Sequence, residues 1–148
     1  DASLRTKLKR FSNIIYHGPY NPTALDSLLE DKDVGIVPSI WEEVFGYVGP
    51  EMLAKGIPLI GNAVGGITEY VIEKRTCWVN RTSSTEEMAD IMTNLIKNPG
   101  SVSKMNAAIV KNKPIGTYLQ HFKAMTRLYD LAMCKNQEPL FVDKKGFK

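Results

Sequence analysis

Short apolar runs of strand length alternate with apolar stripes at helical spacing along the first hundred residues. Residues 2–10 predict the basic end of a helix, and Asn13-Ile14-Ile15-Tyr16-His17 predicts a short strand closed by Gly18-Pro19. Asn21 suits a helix N-cap with Pro22 at the first helical position, and Leu25, Leu28 and Leu29 supply one apolar face. Val34 to Val37 predicts the next strand, ended by Pro38. A helix follows over residues 47–55, with Met52, Leu53 and Ala54 available for burial and Gly56 stopping it at positive φ. Pro58-Leu59-Ile60 predicts a third strand. Gly65-Gly66 opens a short helix carrying Ile67, Tyr70, Val71 and Ile72, and Cys77-Trp78-Val79 predicts a fourth strand.

Helices alone follow. Ser84 with Glu87 predicts a capping box for a helix through Lys97, whose Met88, Ile91, Met92, Leu95 and Ile96 share one face. Asn98-Pro99-Gly100 breaks it, residues 102–111 predict another helix, Lys113-Pro114 a break, and residues 116–134 a longer helix. Strands joined by single helices imply an α/β fold, a Rossmann-like parallel sheet with flanking helices and right-handed crossovers. Residues 1–136 are expected to form this unit, and 137–148 an irregular tail.

Composition narrows the picture only slightly. At 148 residues, 43% apolar and 24% charged, the chain has ordinary single-domain values and can bury a real core. A net charge of +3 is too small to argue for nucleic acid. Basic residues cluster in Arg5–Arg10 and Lys144–Lys148, where a solvated helix face and a frayed end are the plain reading; peripheral contact with an anionic membrane is the sharper one. Cys77 and Cys134 belong to no metal- or redox-like cluster, and Cys77 in its apolar run reads as a buried thiol, consistent with a reducing, cytoplasmic setting. No run of eighteen apolar residues and no secretory signal is visible. The chain begins with Asp1, so either a segment was removed or the chain is an excerpt.

The candidate chemistry sits in Glu43-Val44-Phe45-Gly46-Tyr47-Val48-Gly49-Pro50-Glu51, two carboxylates eight positions apart. Glu43 is placed at the carboxyl end of a strand and Glu51 in the first turn of the next helix, where open α/β sheets bind ligands. Carboxylates there suit a polyhydroxylated ligand, since each can accept from two vicinal hydroxyls.

These residues resemble a known family. Pro38-Ser39-Ile40-Trp41-Glu42-Glu43-Val44-Phe45-Gly46, then Pro50-Glu51 through Lys55-Gly56-Ile57-Pro58-Leu59-Ile60, then Gly65-Gly66-Ile67-Thr68-Glu69-Tyr70-Val71, is similar to the donor-binding half of retaining GT-B glycosyltransferases of the group 1 type, which carry a Glu-x7-Glu signature. The resemblance runs from residue 13 to 98. It implies that Glu51 accepts hydrogen bonds from the ribose hydroxyls of a nucleotide-sugar. Glu43 would contact the transferred sugar as the catalytic carboxylate, with Glu42 beside it as the rival. Backbone amides of Phe45, Gly46, Tyr47 and Val48 would approach sugar and diphosphate, helped by the helix N-terminus. Gly65 and Gly66 would either touch the donor or simply start a helix. His17, Gly18 and Tyr20 lie where the family's nucleobase packs, and Trp41 is expected to pack over the loop.

The resemblance further implies a UDP- or GDP-sugar donor, no metal or other cofactor, and a glycan, lipid-linked or small-molecule acceptor in polysaccharide or glycan biosynthesis. It also implies a preceding acceptor-binding domain that this chain lacks, so the 148 residues alone are expected to be inactive. The Arg and Lys that neutralise the donor diphosphate are not found in residues 1–12. Two further strands would stand between 13–17 and 34–37, at about 4.8 Å each; the expectation is that these two strands pair directly or that another segment fills the place. Tyr118, Phe122, Met125, Leu128 and Tyr129 would face the partner domain or form plain core. The rival readings are a non-catalytic transferase-like module that binds a nucleotide or partner, and another two-domain α/β enzyme such as a sugar epimerase.

Overall fold

The computed structural model describes residues 2–134. The basic opening forms helix α1 (Ala2–Leu8). Asn21 caps as its side chain requires: Oδ1 accepts from the Thr23 amide at 3.1 Å, Pro22 opens a 3₁₀ turn, and α2 (Leu25–Leu29) continues it. Strand β1 (Gly35–Val37) leads through the Glu43 loop into α3 (Val48–Ala54). Gly56 ends α3 at φ +83°, as expected, and strand β2 (Leu59–Asn62) follows. A 3₁₀ turn at Gly65–Glu69 leads to β3 (Cys77–Asn80). The helical remainder is α4 (Thr85–Lys97), α5 (Pro99–Asn112) and α6 (Tyr118–Cys134).

The three strands form one parallel sheet in the order β1-β2-β3, with Ile36 opposite Ile60 and Ile60 opposite Trp78. Alternation of side chains puts Val37, Leu59 and Cys77 on one face, where they join Met52, Leu53, Ile67, Tyr70, Val71 and Ile109 in the core. The other face carries Ile36, Ile60 and Trp78 and is covered less completely. Leu95 of α4 is buried, yet Ile36 is 39% and Ile96 79% exposed. Asn106 on α5 donates to the Gly56 carbonyl at 2.8 Å, tying that helix to the end of α3.

Five expectations are corrected. Residues 13–17 form no strand: among the described residues no strand pairs with them, and Ile15 is 79% exposed. Among the described residues β1 pairs with β2 alone, so neither direct pairing of the two segments nor a filling segment occurs. A strand is held by its neighbours' hydrogen bonds, and an apolar run without one stays irregular. The capping box is half formed. Ser84 Oγ accepts from the Glu87 amide at 3.1 Å, but the Glu87 carboxylate turns to the Thr82 amide and hydroxyl, both at 2.7 Å. Those bonds, the Thr82 hydroxyl first, hold its carboxyl below the usual range.

Trp41 is 74% exposed rather than packed over its loop. Every residue of α6 from Tyr118 to Met133 is exposed, so its aromatic stripe is not core. The predicted tail at 137–148 lies outside the described residues. No helix among them is long and apolar enough to cross a membrane.

Candidate functional site

The site lies at the carboxyl end of β1, on the loop from Pro38 to Tyr47. Val37 is buried in the core and Pro38 ends the strand, so the chain leaves the sheet where Ser39 follows. Ser39 Oγ donates a hydrogen bond to Glu43 Oε1. Ser39 is itself held from β2, because Asn62 Nδ2 donates to the Ser39 carbonyl at 3.2 Å from a side chain 1% exposed. Neither Ser39 nor Asn62 stood out as a site residue in the sequence. The Pro-Ser pair at the strand end was their only local signal.

Gly46 adopts φ +69°, a conformation that side chains disfavour. A Cβ there would also stand 2.7 Å from Glu43 Oε2. Tyr70, 4% exposed, donates from its hydroxyl to the Gly46 carbonyl at 2.8 Å. Its ring fits over Gly49, where a Cβ would come within 2.2 Å of it, and meets Phe45 edge-on at 5.5 Å between centroids. Burial, then the charge of Glu43, raises the Tyr70 phenol above its ordinary pKa, so it remains a donor. Tyr70 thus props the turn from below, a role visible only once the fold brings residues 46 and 70 together.

The two glycines of Gly65-Gly66 serve the same loop. The Gly66 amide donates to the Glu43 carbonyl at 2.8 Å, and a Cβ on Gly66 would fall 1.7 Å from the Val44 carbonyl oxygen. A Cβ on Gly65 would lie 2.7 Å from the Glu43 carbonyl oxygen. Their bareness is therefore accounted for by backbone contact with the Glu43 loop.

Above this support, the backbone amides of Phe45, Gly46, Tyr47 and Val48 have no protein acceptor among the described residues. Consecutive backbone amides left without protein acceptors are donors that oxygen-rich or anionic groups can satisfy. Glu43 and Glu51 are both half-buried at the margins of this stretch, whereas Glu42 is exposed. Glu51 accepts a 2.7 Å hydrogen bond from the Tyr20 hydroxyl, which joins the expected nucleobase region to the expected ribose carboxylate. His17 and Gly18 do not share this contact, and His17 is exposed. Phe45, Tyr47 and Tyr70 also line a cavity of about 590 Å³ together with Tyr118 and His121.

The family's sequence model described as "Glycosyl transferases group 1" matches residues 3–114. The chain belongs to this family. A D-inositol 3-phosphate glycosyltransferase of Arthrobacter sp. (strain FB24) is 28% identical over 95 residues, covering 64% of this chain and 22% of the relative. The protein of that name from Mycobacteroides abscessus is 34% identical over 83 residues, covering 56% and 18%. Among solved structures, sucrose-phosphate synthase from Thermosynechococcus elongatus superposes with a TM-score of 0.76 at 20% identity, covering 91% of this chain and 34% of that one. Anabaena Alr3699/HepE in complex with UDP-glucose gives a TM-score of 0.70 at 18% identity, covering 87% and 36%. These neighbours share the α/β fold of GT-B glycosyltransferases. The chain spans about a fifth of the length of those curated relatives and about a third of those solved chains.

Proposed function

We propose that this chain supplies the donor-binding surface of a retaining glycosyltransferase that uses a nucleotide-sugar, a UDP- or GDP-sugar by the family resemblance. The observation that carries the reading is the row of four amides, Phe45 to Val48, with no protein acceptor among the described residues, flanked by the half-buried carboxylates Glu43 and Glu51. A nucleotide-sugar has matching parts in the same order: sugar hydroxyls for Glu43, a diphosphate for the amides, and a ribose for Glu51. That a neighbour of this fold is bound to UDP-glucose supports the ligand class.

In this reading the protein's work is positioning and electrostatics. The amides stabilise negative charge on the diphosphate as it leaves, and they need no reorganisation because Tyr70 and Gly66 already fix the turn. Glu43, held by Ser39, fixes the sugar hydroxyls and stabilises positive charge growing at the anomeric carbon. The acceptor hydroxyl attacks the face from which the diphosphate departs. The acceptor site is assigned to the part of the enzyme that precedes this one in the GT-B arrangement.

The test is calorimetric titration of the natural full-length polypeptide with UDP-glucose and GDP-glucose. Glu51→Ala should weaken the donor that binds by at least roughly tenfold, the cost of leaving ribose hydroxyls without a charged acceptor. Glu43→Gln should lower turnover far more than donor affinity. Unchanged affinity in Glu51→Ala would rule out the ribose role.

A further inference from the structure

Glu51 does not stand alone at its end of the site. The Tyr20 hydroxyl donates to Glu51 Oε2 at 2.7 Å across 31 positions of sequence. Both partners are anchored on their own elements. Tyr20 precedes Asn21, whose side chain closes the cap at the Thr23 amide, with Pro22 stiffening the chain after it. The Glu51 amide donates to the Tyr47 carbonyl at 3.0 Å, inside the turn that carries the free amides. Tyr20 occupies Oε2, while Oε1 has no protein partner among the described residues.

A glutamate side chain otherwise spreads over several rotamers, and ordering it costs binding energy. Pinned by the phenol, Glu51 presents one free carboxylate oxygen in a fixed direction. Its hydrogen bond to Glu51 leads the causes that raise the Tyr20 phenol above its ordinary pKa, so Tyr20 stays protonated and donating through the physiological range.

We propose that Tyr20 is a positioning residue for Glu51, and that through it the site distinguishes ribonucleotides from 2′-deoxyribonucleotides. The inference rests on the ribose reading of Glu51. A fixed Oε1 rewards a hydroxyl that reaches it and gives nothing to a sugar lacking that hydroxyl. A mobile carboxylate averages the two cases.

The experiment measures affinities of the natural full-length polypeptide for UDP and 2′-deoxy-UDP, with GDP and 2′-deoxy-GDP as the parallel pair. Wild type is expected to prefer the ribonucleotide. Tyr20→Phe keeps the ring and removes the hydroxyl; it should weaken the ribonucleotide by roughly three- to tenfold and leave the deoxy form unchanged, so that the ratio falls toward one. Tyr20→Phe that keeps the wild-type ratio overturns the proposal, and so does one that weakens both forms equally. Glu51→Ala separates the two levels. If it collapses the ratio while Tyr20→Phe does not, only the role of Tyr20 fails. If neither variant changes the ratio, or if wild type binds no member of either pair, the ribose reading fails with it.

Discussion

The Gly66 amide donates a 2.8 Å hydrogen bond to the carbonyl of Glu43, and nothing larger than hydrogen fits between residue 66 and the Val44 carbonyl. Gly66→Ala forces a Cβ to within 1.7 Å of that oxygen unless the loop moves. Backbone cannot yield as a flexible side chain can. The variant should lose about 1–3 kcal/mol of stability, measured by chemical denaturation, and should also lose donor affinity because the Glu43 loop is displaced. Wild-type stability and affinity together would show that the contact is not a constraint.

Tyr70→Phe tests the prop beneath Gly46. It leaves the ring in place over Gly49 and removes the 2.8 Å bond to the Gly46 carbonyl, which keeps only the Gly49 amide at 3.3 Å. The expected cost is about 0.5–1.5 kcal/mol in denaturant unfolding. Gly49→Ala should cost more, since its Cβ would lie 2.2 Å from the Tyr70 ring, and equal costs would contradict this packing.

Cys77 is fully buried, and burial, with Glu73 adding to it, pushes its thiol from an ordinary 9.0 up to about 12. In a Cys134→Ser background Cys77 should be inert to a thiol reagent at neutral pH and react once in guanidinium. The raised pKa disfavours the thiolate in the folded state. The stability linked to it is therefore complete below pH 9.0 and lost as pH rises toward about 12. Cys77→Ala should flatten that alkaline decline; an unaltered decline would assign it to other groups.

The Ser84 cap offers a local test. Ser84→Ala removes the acceptor for the Glu87 amide and should cost about 0.5–2 kcal/mol. Glu87, whose carboxyl is held below the usual range, adds stability that is present at neutral pH and fades as pH falls through its folded pKa. Thermal melts of Glu87→Gln should be less sensitive to acid than those of wild type; equal sensitivity would contradict the Thr82 contact.

What the sequence revealed and what it hid divide by range of interaction. The runs that become β1, β2 and β3 were legible because a buried parallel strand is apolar along most of its length. The Asn21 and Ser84 caps were legible because a cap is made within three residues. Residues 13–17 misled because their pattern is local, whereas a strand depends on a neighbour that the pattern does not report. Glu43 and Glu51 were legible as a spaced pair. Their holders, Ser39 through Asn62 and Tyr20 across 31 residues, were not, because chain distance carried no sign of contact. The glycine pair at 65–66 was visible as a motif, yet its partner, the Val44 carbonyl, emerges only from the fold.

The central claim, that the turn from Phe45 to Val48 receives the donor, is tested most directly by amide chemical shifts of the ¹⁵N-labelled natural polypeptide during titration with UDP-glucose and with GDP-glucose. The amides of Phe45, Gly46, Tyr47 and Val48 should move farthest with the donor that binds, accompanied by Tyr20 and Glu51. Shifts concentrated elsewhere, with these four unmoved at saturation, would contradict the account.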